Sequence, residues 1–246
     1  MKILLTNDDG IHAPGLLSAA RALASGGGLH IVAPSREQSG VGSALTLHDA
    51  ISVFPIEIDE LLGDEARPQY PVTAFSVLGT PADSCVLALE RLVGRVDLVV
   101  SGINRGSNLG ADILVSGTVG AAVQGYLRGF PTLAISVGSV QNPQYGGAAQ
   151  FLELLAAQLD RTPPKKAFFL NVNLPNVPLS EIKGVQITRL GGRSYGESVL
   201  EEGSEEPKRY RISITPLQVD LTNGEQIPQL ESLLADIPAR LLQRQD

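Results

Sequence analysis

Met1-Lys2-Ile3-Leu4-Leu5-Thr6-Asn7-Asp8-Asp9-Gly10 decides the reading of this chain. Ile3 to Leu5 is a short apolar run that reads as a buried strand. It stops at Asn7-Asp8-Asp9-Gly10, so two neighbouring carboxylates stand where a strand ends and a helix begins. In an open parallel α/β sheet that edge is where ligands bind. Two ions of like charge side by side repel, and a divalent cation is one way to keep both ionised. Two readings therefore fit the junction. It is half of a metal site, or it is a turn in which Asp-Gly bends the chain and an Asp caps the next helix.

Outward from this stretch, helical and extended patterns alternate. Ala13 to Ala24 has Leu16, Leu17, Ala20 and Leu23 on one face, with Pro14 in the first turn. Leu29 to Ala33 is a second strand, stopped by Pro34 and followed by a polar loop from Ser35 to Ser43. Strands are expected at Ala50–Phe54, Ala74–Leu78, Val96–Val100, Pro131–Val137 and Ala167–Val172. Leu61 to Pro71 reads as irregular surface. Thr80-Pro81-Ala82-Asp83 is a helix start, with Thr80 as N-cap, and the helix is expected to run through Val93. Further helices are expected up to about Leu127 and over Ala148–Leu159. The alternation predicts an α/β fold, a Rossmann-like, doubly wound, mostly parallel sheet over residues 1–178. After Pro178 the texture changes. Val185–Arg189 and Tyr210–Thr215 read as strands flanking a Gly-, Glu- and Ser-rich stretch, Gly191–Lys208, which reads as a hairpin arm. Leu230–Leu242 reads as a terminal helix interrupted at Pro238. Residues 179–246 are thus expected to be an appendage that makes an oligomer contact.

Composition narrows the function. The chain has 246 residues, 43% of them hydrophobic, and a formal net charge of -7. An acidic chain is a poor general binder of nucleic-acid polymers or membrane surfaces, so an anionic substrate would need a local attraction. No stretch approaches the roughly 20 apolar residues of a spanning helix, and no cleavable leader is visible. A cytoplasmic protein is expected. The single cysteine, Cys85, lies in an apolar helical stretch and reads as a core residue rather than a nucleophile.

Three more loops are expected at the edge that carries Asp8 and Asp9. Ser39 follows the second strand, Asn104 follows the Val96–Val100 strand, and Ser116-Gly117-Thr118 opens the next helix. Carboxylate, hydroxyl and amide oxygens are the donors that Mg²⁺ or Mn²⁺ takes. The three histidines are too scattered for a zinc site. His12 could shuttle a proton or simply be an exposed residue. The Ser116-to-Gly120 turn can aim backbone N–H groups at an anion, or can serve only as a cap with glycines for close packing. Neither a Walker loop nor a dinucleotide fingerprint is present. A carboxylate tied to a metal is a poor nucleophile, so a metal-activated water is the expected attacking group.

The motifs then form a set. Asn7-Asp8-Asp9-Gly10, Ala33-Pro34 with Gln38-Ser39-Gly40, Gly79-Thr80-Pro81-Ala82-Asp83, Ser101-Gly102-Ile103-Asn104 with Gly106 and Asn108-Leu109-Gly110, Ser116-Gly117-Thr118-Val119-Gly120-Ala121-Ala122, and Ser213-Ile214-Thr215-Pro216-Leu217 occur in order. Together they resemble the SurE family of stationary-phase survival proteins. The resemblance covers most of the chain and is densest from residue 1 to about 137.

That resemblance implies a metal-dependent phosphatase acting on nucleoside monophosphates at the 5′ or 3′ position, in a family some of whose members also trim short polyphosphates. It implies one divalent ion, Mg²⁺ or Mn²⁺, on Asp8, Asp9, Ser39 and Asn104. It implies phosphate or substrate contact at Gly40, Asn104, Ser116, Gly117 and Thr118, and a homodimer or homotetramer with a swapped C-terminal arm. The chain departs from the family pattern at Val41-Gly42-Ser43, at Val115, at Gln124 and in the arm. A non-catalytic nucleotide or metal sensor, or a hydrolase of another ester or amide, would use the same pocket.

Overall fold

A computed structural model describes residues 1–63, 70–191, 210–235 and 237. The elements run β1 (Lys2–Thr6), α1 (Pro14–Leu23), β2 (Gly28–Pro34), β3 (Val53–Ile56), α2 (Ile58–Leu62), β4 (Val72–Val77), α3 (Pro81–Leu87), β5 (Leu98–Arg105), α4 (Gly117–Leu127), β6 (Thr132–Val137), α5 (Tyr145–Arg161), β7 (Phe169–Leu174), β8 (Val185–Ile187), β9 (Ile212–Pro216) and α6 (Ile227–Leu234). All nine strands join one sheet in the order β3-β4-β2-β1-β5-β6-β7-β9-β8. The stretch from β4 to β7 is wholly parallel. From β1 the chain winds outward through β2 and β4, then returns to lay β5 on the other side of β1. The winding reverses between β1 and β5, the place where such sheets open a crevice at their carboxyl ends.

Burial on both faces explains the continuous apolar runs. Ile3 and Leu5 point under α1, α2 and α5, in a core shared with Leu16, Leu61, Leu62 and Leu152. Leu4, one residue out of phase, packs on the opposite face with Val32, Val99 and Cys85 of α3. That face continues past α4, where Val119 meets Ala134 and Phe169.

Several boundaries differ from the sequence expectation. The third strand is Val53–Ile56, displaced from Ala50–Phe54, and it pairs antiparallel at the sheet's edge. An edge tolerates Pro55, which cannot donate to a ladder. The segment from Leu61 is not irregular at its start: α2 tucks Leu61 and Leu62 into the core. The helix from Pro81 widens into a π-helical turn over Ala88–Leu92. β5 continues past Val100 to Arg105, with its pairing to β6 shifted between Ser101 and Asn104. Asn104 therefore ends a strand rather than sitting in a loop. At the far side β9 runs antiparallel to β7, and β8 runs parallel to β9. Beyond Gly191 the expected arm lies outside the described residues, as does most of the terminal helix past Ala235. Among the described residues no helix is long and apolar enough to cross a membrane.

Candidate active site

The turn after β1 is made without either carboxylate. The Asn7 side chain donates to the Gly10 carbonyl (2.9 Å) and accepts from the Gly10 N–H (3.2 Å). Gly10 sits at φ 104°, a conformation that favours glycine. Helix α1 is capped by Ala13 with no side-chain cap bond, and Pro14 fills its first turn. Asp8 and Asp9 thus serve neither the turn nor the cap.

Asp8 is 3% exposed. Its Oδ1 accepts a 2.5 Å hydrogen bond from the Thr118 hydroxyl, and its backbone carbonyl accepts from the Gln38 N–H. Among the described residues no lysine, arginine or histidine pairs with it. Burial pushes its carboxyl up to about 6, with the Thr118 bond pulling down and the neighbouring Asp9 charge pushing up. Asp9 is also raised, first by burial, against the pull of the Arg105 N–H and charge and with a further push from Glu37. Its Oδ2 accepts from the Arg105 backbone N–H at 3.2 Å.

Helix α4 closes the site from the other face. Ser116 caps it, its Oγ accepting from the Val119 N–H (3.1 Å). Among the described residues the N–H groups of Gly117 and Thr118 have no acceptor. A Cβ on Gly117 would lie 2.7 Å from the Asp8 Cβ, and one on Gly120 would lie 2.1 Å from the Gly42 carbonyl oxygen. These contacts explain the glycines of the motif: they let α4 approach β1 on one side and the loop after Ser39 on the other. Gly40, at φ 79°, stands in that loop, exposed and unobstructed.

Ser39 is exposed, and its hydroxyl donates to Glu37 Oε1 at 3.0 Å. Asn104 is buried. Its amide nitrogen donates to the Gly106 carbonyl (2.7 Å), and its Oδ1 accepts nothing among the described residues. The strand ends and loops that carry Asp8, Asp9, Ser39, Asn104 and Ser116–Thr118 thus meet at one edge, at the reversal between β1 and β5.

Glu37, Arg105 and the Thr118 side chain were not legible as partners, although each lies within two residues of a motif position. His12 is exposed on the site's margin. Cys85 is fully buried, and burial pushes its thiol up to about 12. As the sequence suggests, it is a core residue.

The donor set suits a hard divalent cation. It consists of two carboxylates, a hydroxyl and an amide oxygen. Asp8 in particular is a buried carboxylate with no positive partner, an arrangement that costs stability unless a cation is bound. Among the described residues no three His, Cys, Asp or Glu side chains gather into a metal-binding group, here or elsewhere, so beyond the two carboxylates the candidate donors are Ser39 and Asn104. Beside Asp9 opens a groove of about 680 Å³, lined by Pro14, Arg105, Asn142, Pro143, Gln144 and Tyr145 among others. The Tyr145 ring packs against α1 at Gly15.

Comparison with known proteins agrees with this architecture. The sequence model described as Survival protein SurE matches residues 3–197. A protein of Geobacter sulfurreducens named 5'-nucleotidase SurE is 40% identical, over 94% of this chain and 93% of its own. One of the same name from Carboxydothermus hydrogenoformans is 40% identical, over 94% of this chain and 96% of its own. The crystal structure of the SurE protein from Aquifex aeolicus superposes with a TM-score of 0.79 at 31% identity, covering 95% of this chain and 99% of that one. By sequence along most of its length and by fold, the chain belongs to the SurE family.

Proposed function

We propose that this protein is a metal-dependent nucleotidase, releasing phosphate from nucleoside 5′-monophosphates, from the 3′ isomers and from short polyphosphate. One observation carries the reading. A buried carboxylate without a positive partner, Asp8, lies against the open N-terminus of α4, which supports reading a cation site beside an anion site. The names of the Geobacter and Carboxydothermus relatives support the 5′-nucleotidase part of this reading.

Asp8, Asp9, Ser39 and Asn104 would hold one Mg²⁺ or Mn²⁺, which when bound offsets phosphoryl charge and lowers the pKa of a water. The Gly117 and Thr118 N–H groups receive the equatorial phosphoryl oxygens, aided by the helix dipole. Ser116 keeps that first turn in place through its bond to Val119. Asp9, the more exposed carboxylate, takes the proton from the attacking water as its oxygen bonds to phosphorus. The ester P–O bond breaks, the proton held by Asp9 passes to the departing oxygen, and the nucleoside leaves as its alcohol. The nucleoside lies in the groove beside Asp9, with its base on the Tyr145 ring. That groove is wide and partly polar, which suits several bases.

The exposed apolar residues of edge strand β8, Val185 and Ile187, and of α6, Ile227, Leu230 and Leu233, support a homodimer or homotetramer.

The test is a matrix of metals against nucleotides on the purified protein, with molecular mass measured in solution. Phosphate release from AMP or GMP with Mn²⁺, abolished by a chelator, is the expected result. Nucleotide binding without phosphate release would make the protein a sensor. Turnover of esters that lack phosphate, without turnover of nucleotides, would make it another kind of hydrolase.

A further inference from the structure

We infer that Glu37 is a positioning residue, which orients the Ser39 hydroxyl toward the cation and ties its loop to Asp9 through Arg105. The inference rests on the cation site proposed above and adds a residue to it. A single carboxylate oxygen, Glu37 Oε1, accepts from Ser39 Oγ at 3.0 Å and from Arg105 Nη2 at 3.1 Å. Arg105 in turn gives its backbone N–H to Asp9 Oδ2 at 3.2 Å. An unbroken path therefore joins two proposed ligands carried by different loops: Ser39, Glu37, Arg105, Asp9.

The chemistry of each bond favours this role. A serine hydroxyl can donate one proton while its lone pairs accept or coordinate. With the proton directed to Glu37, the lone pairs are left for a cation. Without Glu37, an exposed serine on the loop that contains Gly40 at φ 79° would be free to rotate among its staggered rotamers. The Arg105 guanidinium holds Glu37 back, so its carboxylate acts through Ser39 instead of binding the ion itself. The exposed Glu37–Arg105 pair contributes little to stability. Its role is orientation, as outer-shell partners of metal ligands commonly have.

The experiment is Mn²⁺ binding to the full chain by calorimetry, for the parent, Glu37→Ala, Glu37→Gln, Ser39→Ala and the Glu37→Ala/Ser39→Ala double variant. Each variant is first checked for an unchanged melting midpoint in chelator. Glu37→Ala is expected to bind Mn²⁺ about 10-fold more weakly, at the low end of outer-shell losses. Glu37→Gln, which keeps an acceptor oxygen, should recover most of that affinity. The double variant should bind no more weakly than Ser39→Ala alone, because both changes remove one interaction. Losses that multiply in the double variant, or Glu37→Ala binding with parental affinity, would overturn the positioning role while leaving the cation site standing. A parent chain that binds no Mn²⁺ would remove both.

Discussion

Two helices start at the same edge of this sheet, on the same face, and they spend their first turns differently. Helix α3 is sealed by its own residues. Thr80 Oγ1 accepts from the Asp83 N–H and Asp83 Oδ2 accepts from the Thr80 N–H. The same Asp83 also binds the Thr46 N–H and hydroxyl. Helix α4 has Ser116 as its cap but Val119 where α3 has Asp83. The nearest carboxylate comes from another strand, Asp8, and is held by Thr118. One helix start thus consumes its carboxylate in capping. The other leaves N–H groups open and borrows a carboxylate that lacks a positive partner. The presence of a cap therefore does not separate structure from chemistry. What separates them is whether the acid belongs to the helix it faces.

The contrast breaks most sharply at Asp8. Asp8→Asn should lower metal-dependent phosphate release by more than about 100-fold, beyond the loss of an outer-shell partner, with the far-ultraviolet dichroism unchanged. Full activity in this variant would end the assignment. Thr118→Val removes the hydroxyl that orients Asp8 and should weaken Mn²⁺ binding by at least about 10-fold, measured by titration. Tyr145→Ala should raise KM for AMP by about 10-fold, the size of one lost base-stacking contact. Its kcat and its turnover of ribose 5-phosphate should stay near the parent's; equal losses on both substrates would take the base off this ring. Asp83→Ala, at the sealed helix, should cost about 1 kcal/mol of stability. That lowers the midpoint by roughly 2–4 °C and leaves activity per folded molecule unchanged.

A further test concerns pH. The Asp8 carboxyl rises from 3.8 to about 6 on folding, so the native state holds this proton more tightly than the unfolded chain. Its contribution favours folding below 3.8 and is lost as pH rises through 6. In chelator, Asp8→Asn should therefore melt higher than the parent above pH 6, with the gap closing below 3.8. A gap that widens toward acid would show that Asp8 is not the group under strain.

Much of this arrangement could be read from residue order, and the parts that could not share a cause. The Thr80–Asp83 capping box and the Asp8-Asp9 pair at a strand end are local features, settled within a few residues. Asn104 was legible as a polar group after an apolar run, but not as part of β5. Its apolar run ends at Val100, and only the shifted pairing with β6 carries the strand on to Arg105. The β3 strand is displaced because an edge ladder is set by its partner β4 and not by its own alternation. Glu37 meets Arg105 across 68 residues, and Thr118 meets Asp8 across 110. No periodicity in the chain announces such pairs.

Those long separations govern when the protein becomes competent. Asp8 and Asp9 end the first strand, yet the groups that hold them, the Arg105 N–H and the Thr118 hydroxyl, come 96 and 110 residues later, on β5 and α4. Half-made chains therefore display a bare acidic turn with nothing to hold a phosphate against it. Recovery of turnover after dilution from denaturant would time the last zip of the central strands, not the first collapse.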